Sequence, residues 1–320
     1  MSGIIFALAL VICIVFTAPM AVADDGTKMG MEMGSEQYVY TEYPLERNGI
    51  SLHLDSMVLE GAMAGKNILL LHGSSNASHE FDIDYQDYSL VRRLAREGYQ
   101  VWRLDIAGYG QSQNVEDGLL PDTAYAAEDI KAAVDYILQE TGQMQVNLLG
   151  WSWGTMTASL YAMNHPEHVR KLVLYGPILT GIGEEVSYPP FSHNTWEQAA
   201  EDFQRREDGT FDLSVTDPVI IELFCSSCWH YDGEYSPNGW RKDACVDKSR
   251  VLIDLDAIRV PTLLICGGKD PYMNYEIIDG AIEHLPEGSA VEVIPGGSHI
   301  VMLEKPCYRD FQERVAGFLR

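Results

Sequence analysis

Ser152 stands in Gly150-Trp151-Ser152-Trp153-Gly154, between the apolar run Gln145 to Leu149 and a helix-like stretch from Thr155 to His165. A G-x-S-x-G between strand and helix turns so tightly that a side chain at either glycine would collide with its neighbours, and the serine projects from the turn. The helix behind it points its positive end at the reaction centre, where the Trp153 N–H is expected to help hold an oxyanion. A serine hydroxyl is a poor nucleophile at neutral pH. It needs a histidine to take its proton and a carboxylate to hold that histidine in the right tautomer. Both residue types follow in chain order, each after an apolar run. Val260 to Cys266 ends in Gly267-Gly268-Lys269-Asp270, and Ala290 to Ile294 ends in Pro295-Gly296-Gly297-Ser298-His299. Alone, Asp270 reads equally as a turn residue before Pro271 and His299 as a helix cap; their joint placement after successive strands favours a Ser152-Asp270-His299 triad. A further run, Ile68 to Leu71, leads into His72-Gly73-Ser74-Ser75, which offers the Ser74 N–H as a second oxyanion donor.

The elements that must position these residues alternate along the chain. Tyr38 to Leu45 and Ile50 to Leu59 read as an antiparallel opening pair. Strands at Ile68 to Leu71, Gln100 to Leu104, Gln145 to Leu149 and Lys171 to Tyr175 are interleaved with helices near Tyr88 to Glu97, Thr123 to Thr141 and Thr155 to Asn164. Asp122 is a fitting N-cap and Gly142 a fitting stop for the second of these helices. Strand-helix alternation of this kind predicts an α/β fold, a mostly parallel sheet with helices on both faces. From Pro177 to about Leu255 the rhythm is interrupted by Pro189-Pro190, Pro218, Pro237 and a cysteine cluster, with helix-like pieces at Thr195 to Arg206 and Pro218 to Phe224. A structureless loop of that length would be exceptional in a compact domain, so it reads as an inserted unit. Closing helices are expected at Tyr275 to Leu285 and Lys305 to Leu319.

With the elbow, the three strand-end residues and the loop Asp105-Ile106-Ala107-Gly108-Tyr109-Gly110-Gln111-Ser112, the chain from about Tyr38 to Arg320 resembles the α/β-hydrolase superfamily. The likeness is to its cap-bearing members, among them prolyl-aminopeptidase-like peptidases, esterases and haloperoxidase-like enzymes. The resemblance implies an eight-stranded-type, mostly parallel sheet, with a core of residues 37–176 and 257–320 and a cap at 177–256. It also implies an acyl-enzyme mechanism with no metal or organic cofactor. Relatives that dehalogenate or open epoxides carry Asp at the elbow, where this chain has Ser152, so those activities are disfavoured. Small-molecule or short-peptide substrates are implied, with Trp151 as a candidate substrate contact. In the resembling aminopeptidases a cap carboxylate binds the substrate ammonium. The 177–256 stretch holds sixteen acids against six Lys and Arg, and Glu197 and Glu222, in its helix-like pieces, are candidates for that role beside the plainer reading of a solvated acidic face. Thr195-Trp196-Glu197 does not reproduce the tryptophan-rich cap signature of those peptidases. Esterase, peptidase acting at a free N-terminus and non-catalytic binding module therefore all stand as readings.

Length and a 46% hydrophobic composition suit one large domain with an insertion. The apolar segment Ile4 to Phe16, ending in Ala21-Val22-Ala23, reads as a signal peptide over residues 1–23 and predicts a secreted or periplasmic protein, with an uncleaved membrane anchor as the alternative. Residues 24–36 read as a flexible leader. Cys225, Cys228 and Cys245 fall within 21 residues in a polar stretch. In an oxidising compartment this predicts a disulfide from Cys225 or Cys228 to Cys245, whereas zinc, despite the nearby His230, lacks a fourth ligand in the sequence. A formal charge of −25 excludes nucleic acid and anionic lipid as partners.

Overall fold

The computed structural model describes residues 36–62, 65–184 and 187–320. The expected signal peptide and most of the expected leader lie outside them. Among the described residues no helix is long and apolar enough to cross a membrane.

The strands are β1 (Tyr38–Arg47), β2 (Ile50–Leu59), β3 (Lys66–Leu71), β4 (Tyr99–Leu104), β5 (Val146–Trp151), β6 (Val169–Tyr175), β7 (Phe191–His193), β8 (Tyr235–Pro237), β9 (Thr262–Gly267) and β10 (Ala290–Ile294). Eight form one sheet in the order β1-β2-β4-β3-β5-β6-β9-β10, in which only β2 runs against its neighbours. The central strands are apolar on both faces, as parallel strands covered on both sides must be; Ile68, Leu69 and Leu70 are fully buried. The helices are α1 (Leu90–Arg96), α2 (Thr123–Thr141), α3 (Trp153–Asn164), α4 (Trp196–Ala199), α5 (Pro218–Tyr231), α6 (Arg241–Ala244), α7 (Tyr275–Gly280) and α8 (Tyr308–Leu319). Local chemistry sets the ends of α2 as the sequence predicts. The Asp122 carboxylate accepts the Tyr125 N–H, and Gly142 closes the helix in the left-handed region at φ +67°. The α8 helix packs behind the sheet, with Phe311 against Tyr175.

Between β6 and β9 lie α4, α5, α6 and the antiparallel pair of β7 and β8, and here the structure corrects three expectations. The Thr195 to Arg206 helix is one turn, Trp196–Ala199, after which the chain bends so that Ala200 and Phe203 are buried. Helix α5 runs on to Tyr231 instead of stopping near Phe224, because Cys225 and Cys228 continue the buried stripe of Ile220, Ile221 and Phe224. A thiol packs there as a small hydrophobe. For the same reason no disulfide forms: Cys225, Cys228 and Cys245 are all thiols. The first two share the buried face of one helix, where burial pushes the Cys225 thiol up to about 12, and Cys245 Sγ takes an Arg241 N–H at 3.9 Å.

Candidate active site

Each glycine of the Ser152 turn is required by contact. A Cβ on Gly150 would lie 2.1 Å from the Gly154 carbonyl oxygen, and one on Gly154 would lie 2.3 Å from that of Leu71 in β3. Ser152 itself sits at φ +55°, a conformation that costs a non-glycine residue roughly 1–3 kcal/mol and that clusters at functional sites. The turn is held by the Ser152 N–H bonded to the Tyr175 carbonyl and by the Thr155 N–H and hydroxyl on the Ser152 carbonyl.

The other two candidate residues meet beside it. His299 Nδ1 and Asp270 Oδ2 are 2.7 Å apart, both buried, and the other carboxylate oxygen of Asp270 accepts the Tyr272 N–H. The His299 carbonyl takes two donors, Tyr175 Oη at 2.7 Å and Trp151 Nε1 at 3.2 Å, so Trp151, expected as a substrate contact, also anchors the histidine loop. Gly176, at φ +55°, leaves room for the imidazole: a Cβ there would stand 2.8 Å from His299 Cε1. Glu304, fully buried, accepts the Ser298 N–H and hydroxyl and fastens the same loop from below.

Ser152, His299, Trp151, Trp153 and Ser74 all line one cavity of about 280 Å³. Trp153 is the first residue of α3, where an N–H has no acceptor within the helix. The Gly73-Ser74 turn is pinned by His72, whose Nδ1 bonds the Gly73 carbonyl and whose Nε2 faces the Ile106 N–H; together these define one neutral tautomer, and burial pushes this imidazole below its ordinary value. Glu80 adds a bond to the Gly73 N–H at 3.0 Å, and burial holds its carboxyl well above the usual range. Sequence reasoning used His72 only as a strand end and passed over Glu80, because nothing local marks either as a support for the oxyanion loop.

Glu197 and Glu222 do not enter the cavity. Both are exposed, and Glu197 reaches toward Arg205 instead. Among the described residues, the carboxylates that line the cavity are Glu80 and, brought in by the bend after α4, Glu201 and Asp202. Burial raises the latter two, with Asp202 adding to the shift of Glu201, and His299 opposing that of Asp202. Burial alone would depress His299, but Asp270, Asp202 and Glu201 together hold it above its ordinary 6.5. The arrangement can deliver a hydroxyl nucleophile, a base tuned by nearby carboxylates and two backbone donors to one enclosed volume.

The family described as alpha/beta hydrolase fold matches residues 66–219. The serine hydrolase BPHL of Mus musculus is 30% identical over 275 residues, 85% of this chain and 84% of that protein. Proline iminopeptidase of Lactobacillus delbrueckii subsp. bulgaricus is 33% identical over 109 residues, 33% of this chain and 34% of its own, so the match spans about a third of that relative's length. An esterase from Exiguobacterium antarcticum has the same fold, with a TM-score of 0.61 at 22% identity over 86% of this chain and 98% of its own. With the sheet order, the strained serine turn and a relative matched over most of both chains in agreement, this chain belongs to the α/β-hydrolase superfamily.

Proposed function

We propose that this hydrolase cleaves esters or amides through an acyl-enzyme, with Ser152 as nucleophile, His299 as base and Asp270 as the carboxylate that orients it. His299 Nε2 takes the hydroxyl proton as Ser152 Oγ bonds the carbonyl carbon, and returns it to the leaving group as the tetrahedral centre collapses. The Trp153 and Ser74 N–H groups hold the oxyanion, and water repeats the cycle to free the acid. The observation that carries this reading is the 2.7 Å His299–Asp270 contact beside a positive-φ serine on the wall of the same cavity.

Glu201 and Asp202 favour amine-bearing substrates over anionic ones. Asp202, half-buried, and Glu201, more exposed, are both raised by loss of water and only partly offset, by His299 for both and by Arg241 for Glu201; a substrate ammonium adds to that offset and a substrate carboxylate adds to the repulsion. Arg241 also lines the cavity, but its guanidinium is engaged by Asn238 Oδ1 and lies over the Trp240 ring. For one ester scaffold bearing an amine, nothing or a carboxylate, kcat/KM should favour the amine over the carboxylate by about 100-fold, since opposing a like charge in a desolvated site costs several kcal/mol. The share of the preference that half-buried Asp202 supplies should persist at high salt, because such a pair is screened less than an exposed one, and the preference should collapse in Asp202→Asn with Glu201→Gln. Equal rates for all three esters at both salts would leave plain esterase as the better reading.

We also infer export, on the apolar segment and its A-x-A end. N-terminal sequencing of the protein from its native host is expected to begin at Asp24; a mature chain that keeps Met1 and partitions with membranes would favour the anchor instead.

A further inference from the structure

The mechanism leaves unused a second cluster of polar groups, buried where α5 meets the turn after the Ser74 loop. His79 lies in the short 3-10 turn Ser78–Phe81, Cys228 on the buried face of α5, and Asp232 at that helix's C-terminus. A ligand atom from each, imidazole nitrogen, thiol sulfur and carboxylate oxygen, lies within 4.8 Å of the others. His79 Nε2 is 2.8 Å from Asp232 Oδ2. The other carboxylate oxygen, Asp232 Oδ1, is buried without a hydrogen-bond partner, and so is Oε2 of Glu80, the residue next to His79. Buried unpartnered carboxylate oxygens are uncommon in a folded protein and call for a specific explanation.

We propose that His79, Cys228 and Asp232 form a binding site for a zinc-class divalent metal that pins the inserted helix α5 to the core beside the catalytic cavity. One nitrogen, one sulfur and one oxygen ligand select a borderline-soft ion such as zinc over magnesium or calcium, which take oxygen almost alone. Tetrahedral zinc would set the ligand atoms about 3.4 Å apart, so a modest inward movement of Cys228 and a slight opening of the His79–Asp232 contact suffice. The outer contact is already built. His79 Nδ1 lies 2.6 Å from Ser227 Oγ, and with the Nδ1 proton donated there, Nε2 presents its lone pair to the site. The opposite tautomer joins Ser227, His79 and Asp232 through a proton alone, so metal and proton compete for the same Nε2. Three protein ligands leave a fourth position. Cys228 and Glu80 both line the catalytic cavity, which sets the site against that cavity's wall.

A weaker cluster of His165, Glu167 and His168 lies elsewhere, partly exposed at the end of α3, and would bind added metal in the background. The test therefore uses the full untagged chain carrying His168→Ala, freed of metal by dialysis against a chelator and titrated with Zn2+ alone. One equivalent should bind. Saturation at a hundredfold excess over Kd should raise Tm by about 5 °C, whereas Ca2+ and Mg2+ should do neither. Co2+ should give a thiolate-to-metal charge-transfer absorption that survives Cys225→Ser and disappears in Cys228→Ser. Affinity should fall more than about 100-fold in Cys228→Ser and in Asp232→Asn, since loss even of an outer-shell partner costs 10–100-fold. No stoichiometric Zn2+ binding, equal binding by Cys228→Ser, or comparable binding of Ca2+ or Mg2+ would each overturn the assignment. The Co2+ spectrum is read on the parent chain, so it decides even if a ligand variant fails to fold.

Discussion

Ser152→Ala is expected to lose kcat by a factor on the order of 10⁵ to 10⁶ while remaining folded. Folding should survive because alanine and serine both carry a Cβ, so the backbone strain at φ +55° is unchanged, and the bonds that hold the turn are made by the residue 152 N–H and carbonyl. Activity should not survive, because alanine removes the hydroxyl at position 152 and the neighbouring Thr155 hydroxyl is spent on the carbonyl of residue 152. Intact-mass analysis after fluorophosphonate treatment should find one adduct on the parent chain and none on the variant. The binding-module reading makes the opposite statement: no adduct on either form under native conditions. Equal labelling of both would place the nucleophile elsewhere and sink the acyl-enzyme mechanism proposed for Ser152.

Asp270→Asn should be the next most damaging change, with kcat falling roughly 10⁴-fold, because an amide cannot both hold the His299 tautomer and stabilise its cation. Its pH profile carries further information. The base must be neutral to accept a proton, so kcat/KM rises with pH through the His299 pKa, and the acid limb of the parent should lie above 6.5. Burial alone pulls that pKa down, and Asp270, Asp202 and Glu201 are what lift it. In Asp270→Asn the limb should therefore move to lower pH as the plateau drops. Asp202→Asn should move the limb the same way with a far smaller loss, since Asp202 acts on His299 by charge and Asp270 also by a direct bond. A limb that stays put in Asp202→Asn would mean that this carboxyl is protonated throughout and takes no part in tuning the base.

Steric and periodic signals made the core readable. The Gly150 constraint is local, a close approach to the Gly154 carbonyl within one strand-turn-helix, and that on Gly154 comes from Leu71 of the neighbouring β3, yet both fall on the same five letters, which announced the turn. Apolar runs ending in Asp270 and His299 announced two strand ends, and parallel packing brings such ends to one edge of the sheet. The inserted segment was less legible. Glu197 and Glu222 were singled out because they lie in helix-like pieces, but helical pattern does not say which face meets the cavity. The bend after Ala199 turns Glu201 and Asp202 inward instead. Close cysteine spacing suggested a disulfide, yet Cys225 and Cys228 complete the buried face of α5, a fact about what lies against the helix.

The sequence by itself determined the sheet-and-helix order, the strained serine turn and the identity of the three residues expected to act together, because each rests on contacts within a few residues or on a repeating apolar period. Tertiary structure alone decided which carboxylates face His299, why Tyr175 and Trp151 hold its carbonyl, and how His79 comes to Cys228 and Asp232 across about 150 residues. Those contacts depend on where separate elements dock, and docking is fixed by the sum of many weak apolar contacts that no short stretch of sequence carries.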